Sequence, residues 1–129
     1  MQTIHSRNAP GAIGSYTQAI CTGNLLFCSG QTPVNPQSMK IEERSIAGQT
    51  TRAIKNLELV LLTAGLTLHD VVKTNIYLCD MENFQEMNAA YAKCFGVHKP
   101  ARTTVAVKGL PLAALIEIEC IAEFKNPPL

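Results

Sequence analysis

The spacing of apolar residues predicts two helices in this chain. Over residues 45–64, apolar side chains recur at steps of three and four, the spacing of one helical face. Ser45 is suited to cap the start of this helix, and Gly65 is suited to end it. A second apolar stripe runs over residues 81–95 and stops at Gly96. We therefore expect two amphipathic helices, each with one face on a core.

Alternation of apolar and polar positions predicts strands elsewhere. Over residues 115–124, isoleucine, cysteine, alanine and phenylalanine occupy the even positions, while glutamates occupy three odd ones. β-branched residues are frequent over residues 71–78, which favours a strand with Val72 on the same side as Thr74 and Ile76. The other predicted strands are residues 2–6, 16–20, 25–28 and 102–107, of which the second and third form a hairpin.

The order of these elements predicts a single α+β domain over residues 1–129. Two helices would cover one face of a six-stranded mixed sheet, and the second helix would make a right-handed crossover between two long strands. The other face would carry glutamates, threonines and an arginine. Charged residues are only 16% of the chain, below the usual share of about a quarter. We therefore expect another subunit to cover that face.

Charge and composition exclude several classes of function. Eleven basic and ten acidic residues give a net charge of +1 without any basic block, so nucleic acid is not an expected partner. No apolar run approaches the roughly 20 residues of a membrane span, and we expect no signal peptide. The three histidines lack the spacing of metal ligands, so we expect no metal.

The cysteines indicate a reducing compartment. Their number is odd and no C-x-x-C pair occurs, so we expect free thiols and a cytoplasmic location. Each lies at an apolar position of a predicted strand or helix, where packing is a commoner role than nucleophilic chemistry. The five are Cys21, Cys28, Cys79, Cys94 and Cys120.

Residues 100–122 carry the candidate chemistry. Arg102 opens one predicted strand, and Glu117 and Glu119 share the polar side of the next. We expect these strands to adjoin through a turn, which would bring the guanidinium near a carboxylate. Arginine binds a substrate carboxylate through paired donors, and a glutamate can hold a water or take its proton. Exposed arginines and solvent-facing glutamates are nevertheless common, and the pattern does not choose between the two glutamates.

Four further positions are candidates for the walls of a binding site. Ser29 and Gly30 end a predicted strand, where backbone can approach a ligand closely. Tyr16 follows a glycine-containing loop, where its ring could form a wall. Asn88 lies on the apolar side of the second predicted helix, where an amide needs a partner. A plain strand end, ordinary packing and a buried structural hydrogen bond are the simpler interpretations.

Several spaced motifs resemble the RidA (YjgF) family of reactive-intermediate imine deaminases, also called L-PSP endoribonucleases. They are N-A-P-x-A-I-G-x-Y at residues 8–16, S-G-Q-T-P-V-N-P at 29–36, and P-A-R-T-T-V with L-P and I-E-I-E-C-I-A within 100–122. The similarity extends over residues 3–124. It implies a chorismate-mutase-like fold and a homotrimer with active sites between subunits.

The resemblance also implies roles for particular residues. Arg102 would anchor the substrate carboxylate, and Glu117, rather than Glu119, would activate water. The implied reaction is that of a 2-iminobutanoate/2-iminopropanoate deaminase, which hydrolyses enamines and imines such as 2-aminoacrylate to 2-keto acids and ammonia without a cofactor. The positions that match the lining of the family's pocket are Tyr16, Ser29, Gly30 and Asn88, together with Arg102.

Two alternatives remain open at the level of sequence. One is an L-PSP-type endoribonuclease that inhibits translation, although the chain has no basic stripe and no histidine pair for acid–base cleavage. The other is a stress-response protein that binds a small ligand with little turnover. Thr104 stands where many relatives have cysteine, so substrate preference could differ.

Overall fold

The computed structural model describes residues 1–126. The predicted C-terminal tail lies outside the described residues from position 127 onward. The strands are β1 Gln2–Ile4, β2 Ala19–Thr22, β3 Leu25–Gln31, β4 Val71–Leu78, β5 Ala101–Ala106 and β6 Ile116–Glu123. The helices are α1 Ile46–Thr63 and α2 Phe84–Phe95, with short 3₁₀ turns at Leu68–Asp70, Met81–Asn83 and Pro111–Ala113.

The six strands form one mixed sheet in the order β1-β2-β3-β6-β4-β5. All neighbours are antiparallel except β4 and β5, which are parallel and joined through α2. The predicted two-layer α+β fold is therefore confirmed. The prediction that β5 and β6 adjoin is wrong, because β4 lies between them. The chain leaves α2 and forms β5 on one side of β4. Residues 107–115 then cross to the other side of β4, where β6 begins.

The first helix forms where the apolar periodicity predicts it. Ser45 Oγ accepts a hydrogen bond from the Gly48 amide at 3.0 Å, which caps the start. Gly65, with φ of +81°, ends the helix in a conformation that glycine adopts readily. The fully buried side chains of this helix pack with those of the sheet in one core. They include Ile54, Leu57 and Leu61 of α1, and Leu26, Ile76, Ile116 and Ile118 of the sheet.

Two local predictions need correction. The second helix begins as a 3₁₀ turn, Met81–Asn83, in which Asp80 caps the Glu82 amide at 2.9 Å and Met81 is exposed. In β4, the register with β6 shifts between Val71 and Lys73. Because such a bulge reverses the facing of the preceding residues, Val71 enters the core and Val72 is exposed.

All five cysteines are free thiols. Cys21, Cys28 and Cys120 are buried in the core and half-buried Cys94 packs against it, which agrees with the expected packing role. Half-buried Cys79 instead donates a hydrogen bond from Sγ to the Ala114 carbonyl at 3.0 Å. Within residues 1–126, no cluster of histidine, cysteine and acidic side chains is suited to hold a metal ion. Across the same residues, neither helix has the length and apolarity required to cross a membrane.

A buried amide connects α1 to the proline-containing loop that follows β3. Asn56 is fully buried, and its Nδ2 donates to the carbonyl oxygens of Thr32 at 3.0 Å and Val34 at 2.8 Å. Prolines cannot provide backbone donors to order this loop. The Asn56 side chain therefore provides donors to these two carbonyl oxygens, beside a short backbone bridge between Val34 and Ile41.

We expect Asn56→Leu to lower the free energy of unfolding by about 1–3 kcal/mol, because it leaves two carbonyl oxygens without their amide donor. The midpoint of urea unfolding measures this change. Lys55→Gln is the matched control, since Lys55 is exposed and its 3.4 Å ion pair with Glu58 lies at the surface. The control should change stability by less than about 0.5 kcal/mol. Equal midpoints for the two variants would contradict this interpretation of Asn56.

Candidate functional site

Arg102 lies on the helix-covered side of the sheet, against α2, so the prediction that the arginine lies on the uncovered face is wrong. Its Nη1 donates to Asn88 Oδ1 at 2.7 Å. Its Cζ is 5.5 Å from the ring centroid of Phe84 and 4.9 Å from that of Tyr91, within the range of cation–π attraction. The guanidinium is therefore held between two aromatic rings and an amide.

Tyr91 is itself fixed by its surroundings. Its hydroxyl shares a 2.9 Å hydrogen bond with Thr74 Oγ1, and its ring stacks on Phe95 with centroids 4.5 Å apart. Burial raises the pKa of Tyr91, so the ring faces Arg102 as a neutral phenol.

The surroundings of Arg102 form an electropositive cavity of about 410 Å³. Among residues 1–126, no carboxylate lies within ion-pair distance of Arg102. Lys99 adds a second cation to the same cavity. The side chains that line it include Asn88, Tyr91, Phe95, His98, Lys99 and Arg102. A small anion, such as a carboxylate, fits the charge of this site.

Glu117 lies in a different cavity, of about 680 Å³, beside a distortion of β3. The pairing of β3 with β6 shifts register between Cys28 and Gln31. A Cβ atom at Gly30 would lie 2.5 Å from Glu117 Oε1, closer than non-bonded atoms allow. Glycine at position 30 therefore makes the space that the Glu117 carboxylate occupies.

The N-terminal loop forms one wall of the Glu117 cavity. Buried Gln18 fixes this loop: its Oε1 accepts from the Ser6 amide at 2.5 Å and its Nε2 donates to the Pro10 carbonyl at 2.8 Å. Tyr16 lies in the same wall, 53% exposed, and its hydroxyl accepts from the Ile13 amide at 3.3 Å. The ring is thus presented toward the cavity and toward solvent.

Ser29 forms the adjoining edge of the cavity. Its Oγ donates to the Thr17 carbonyl at 2.6 Å, and its amide donates to the Gln18 carbonyl at 2.9 Å. Both bonds hold the end of β3 to the loop that carries Tyr16. Ser29 therefore joins two walls of the cavity.

Three residues with unusual backbone conformations line or adjoin the same cavity. Met39, Leu112 and Ala113 have φ values of +58°, +57° and +55°, a region that non-glycine residues rarely adopt. Met39 and Leu112 line the cavity, and Leu112 is 62% exposed. Such conformations cluster at functional sites. No sequence pattern distinguished these residues, because their placement depends on loop geometry.

The two glutamates of β6 differ in their partners. Glu119 accepts a hydrogen bond from the Tyr77 hydroxyl, which raises the pKa of Tyr77 to about 12. Within residues 1–126, Glu117 makes no hydrogen bond with a side chain or a backbone amide, so its carboxylate is free to bind water or substrate. Burial, with a smaller contribution from the charge of Glu119, raises the pKa of Glu117.

Arg102 and Glu117 of one chain lie on opposite faces of the sheet. Arg102 pairs with Thr74 of β4, and Glu117 pairs with Tyr77 of the same strand. Thr74 and Tyr77 are three residues apart, and side chains separated by an odd number of positions point to opposite faces. A single chain therefore cannot bring the guanidinium and the carboxylate together.

The six predicted site residues thus divide into two groups. Tyr16, Ser29, Gly30 and Glu117 meet in one cavity, which we call the glutamate half-site. Arg102 and Asn88 meet in the other, which we call the arginine half-site. The prediction that Asn88 is buried is wrong: it is exposed and bonds to Arg102. Phe84 and Tyr91 belong to the apolar stripe that predicts the second helix, and their four- and three-residue spacing from Asn88 places all three on one helix face.

Comparisons with known proteins agree with the fold and with the motifs. The sequence profile described as Endoribonuclease L-PSP matches residues 6–124. A RutC family protein of Pyrococcus horikoshii is 46% identical over 121 residues, covering 94% of this chain and 96% of that protein. Reactive Intermediate Deaminase A, chloroplastic, of Arabidopsis thaliana is 42% identical over 121 residues, covering 94% of this chain and 65% of that protein.

A solved structure shows the same architecture. Escherichia coli TdcF with bound serine superposes with a TM-score of 0.91 at 34% identity, covering 95% of this chain and 98% of that chain. The profile match covers most of the chain, and the relatives match it over nearly its full length. The resemblance drawn from the motifs is confirmed: the chain belongs to the RidA/YjgF (Endoribonuclease L-PSP) family.

Proposed function

We propose that this protein hydrolyses 2-imino acids and their enamine tautomers to 2-keto acids and ammonia, at a site assembled from two chains. One chain contributes the arginine half-site, and a neighbouring chain contributes the glutamate half-site. The observation that carries the proposal is the separation of Arg102 and Glu117 on opposite faces of one sheet, each in a surface cavity.

The chemistry of the two half-sites suits this substrate class. Arg102 binds the carboxylate of the imino acid and so fixes the position of the neighbouring C=N carbon. Glu117 takes a proton from water as its oxygen attacks that carbon, which gives a carbinolamine. From the protonated imine, this attack leaves an NH2 group. Glu117 passes its proton to that nitrogen and takes the hydroxyl proton as the C–N bond breaks, so the C=O bond forms and ammonia leaves. No electrons are transferred, so no redox cofactor is required.

Two relatives support the choice of substrate. One is named a reactive intermediate deaminase. Another, TdcF, holds serine, which has the carboxylate and the 2-nitrogen that an imino acid also has. These likenesses, together with the roles proposed for Arg102 and Glu117, support our proposal of specific 2-iminobutanoate and 2-iminopropanoate deaminase activity.

A homotrimer is the assembly we propose. The face of the sheet opposite the helices exposes apolar side chains, with Phe27 and Val105 each 42% exposed. Covering these side chains would release ordered water and stabilise the assembly. Sedimentation should give a mass three times that of one chain. The five free thiols fit a reducing compartment such as the cytoplasm.

The description of the matching family profile also favours an endoribonuclease as a second candidate. We place RNA cleavage in the same cavities for this test, because the arginine half-site holds a cation without an acidic partner among residues 1–126. An RNA digestion assay with wild type and Arg102→Ala distinguishes the two activities. If RNA cleavage were the main activity, it would exceed imine hydrolysis and would be lost in the variant.

We expect Arg102→Ala to reduce kcat/KM for 2-iminobutyrate generated in situ by at least about 100-fold, because the charged anchor for the carboxylate is lost. Arg102→Lys should recover only part of this loss, since an ammonium cannot form the paired bonds of a guanidinium. Arg44→Ala removes an exposed arginine outside both half-sites and serves as the control. Equal rates for wild type and Arg102→Ala would exclude the proposed mechanism, as would binding without turnover in the wild type.

The pH profile tests the role of Glu117. Because the ionised carboxylate acts as the base, kcat/KM should fall as the pH drops through the raised pKa of Glu117. Glu119→Gln removes a charge that contributes to this rise, so it should move the acid limb to lower pH. Glu123→Gln, four positions beyond Glu119 on the same face of β6, should leave the limb in place. A limb that stays fixed or moves upward in Glu119→Gln would argue against Glu117 as the base.

A further inference from the structure

Arg102 is held by neutral groups of α2 and by no acidic partner among residues 1–126. Phe84, Asn88 and Tyr91 occupy helix positions i, i+4 and i+7, so their side chains project from one face of α2 toward β5. The two rings lie 5.5 and 4.9 Å from the Arg102 Cζ, and the amide oxygen accepts its Nη1 at 2.7 Å. The guanidinium is thus held at three points.

We propose that Phe84, Asn88 and Tyr91 form a neutral cradle that orients Arg102 without cancelling its charge. Asn88 is then a positioning residue that acts through Arg102, and not a direct contact of the substrate. The inference rests on the proposed function, in which Arg102 anchors a substrate carboxylate. It adds the reason why an amide stands at position 88, where the helix could equally present an acid.

Neutral partners leave the charge and most of the N–H donors of Arg102 available to a substrate carboxylate. A guanidinium has five N–H donors, and Asn88 uses one of them, so donors remain for a bidentate bond to a carboxylate. The faces of aromatic rings attract a cation through their quadrupole and do not accept its in-plane hydrogen bonds. An aspartate at position 88 would form a charge-assisted pair with Arg102 and compete with the substrate.

The cradle is rigid because its Tyr91 side is anchored in the core. Thr74 fixes the Tyr91 hydroxyl at 2.9 Å, and Phe95 stacks on the ring. A guanidinium that is already oriented loses less conformational freedom when the substrate binds. The cradle should therefore act mainly on substrate binding and much less on the chemical step.

Substitutions at position 88 distinguish the effect of a negative charge beside Arg102 from the effect of losing the hydrogen bond to Arg102. Asn88→Asp preserves the shape of the side chain, which is exposed, and should raise KM for 2-iminobutyrate about 10- to 100-fold while kcat stays within about threefold. Asn88→Ala removes the bond without adding charge and should raise KM by less than about tenfold. A KM for Asn88→Asp no higher than that for Asn88→Ala, or a loss confined to kcat, would overturn the proposal.

Substitutions at position 84 test the ring. Phe84→Leu should raise KM about 3- to 30-fold, and Phe84→Tyr, which keeps the ring, should restore it to near the wild-type value. Phe124→Leu removes a buried ring outside both half-sites, so it should lower stability without changing KM. An unchanged KM in Phe84→Leu, or a raised KM in Phe124→Leu, would overturn the proposal.

A spectroscopic measurement distinguishes failure of the cradle from failure of the proposed function. The Nε–H signal of Arg102 in a ¹H–¹⁵N spectrum can be identified by its absence in Arg102→Lys. In the wild type, the neighbouring rings should displace this signal from those of exposed arginines, and Phe84→Leu should reduce the displacement. If the wild type hydrolyses no imino acid, the proposed function fails. The spectrum still tests whether the cradle orients Arg102, because it does not depend on activity. If the Arg102 Nε–H signal of the wild type lies among the signals of the exposed arginines, the cradle proposal is overturned.

Discussion

The alternation of side chains along β4 is the constraint on which the candidate site depends. Thr74 points into the helical layer, where it fixes Tyr91, and Tyr77 points to the other face, where it binds Glu119. Residues paired across neighbouring strands point to the same face of the sheet. Arg102 therefore lies on the same face as Thr74, and Glu117 lies on the same face as Tyr77. The fold itself thus separates the cation from the carboxylate, and this separation is the reason why we propose a site shared by two chains.

Each half-site is electrostatically incomplete in an isolated chain. The pKa of Glu117 is raised by burial and by Glu119, so the folded state binds a proton here more tightly than the unfolded state. Ionised Glu117 therefore costs stability at neutral pH, and this cost disappears as the pH falls below the ordinary range of a glutamate. A guanidinium from a neighbouring chain would oppose the same pKa rise. In the proposed two-chain site, substrate binding and assembly would therefore involve the same charged groups.

The sequence was most informative where a local periodicity determined the structure. The helical spacing of α1, the caps at Ser45 and Gly65 and the alternation of β6 all have local causes, and each prediction is confirmed. The order of the strands has no local cause, because it depends on where a connection crosses the sheet. For that reason the adjacency of Arg102 and Glu117 along the chain suggested neighbouring strands, although β4 separates them. Loop residues such as Leu112 lie outside any periodic pattern.

Mixing two inactive variants tests the shared site most directly. Arg102→Ala and Glu117→Gln chains are unfolded together in equal amounts, refolded, and assayed with 2-iminobutyrate generated in situ. If each site takes Arg102 from one chain and Glu117 from its neighbour in a closed ring, random assembly leaves about a quarter of the sites intact. A site shared between chains should therefore recover about a quarter of wild-type activity. Activity no greater than the sum of the separately refolded variants would contradict a shared site.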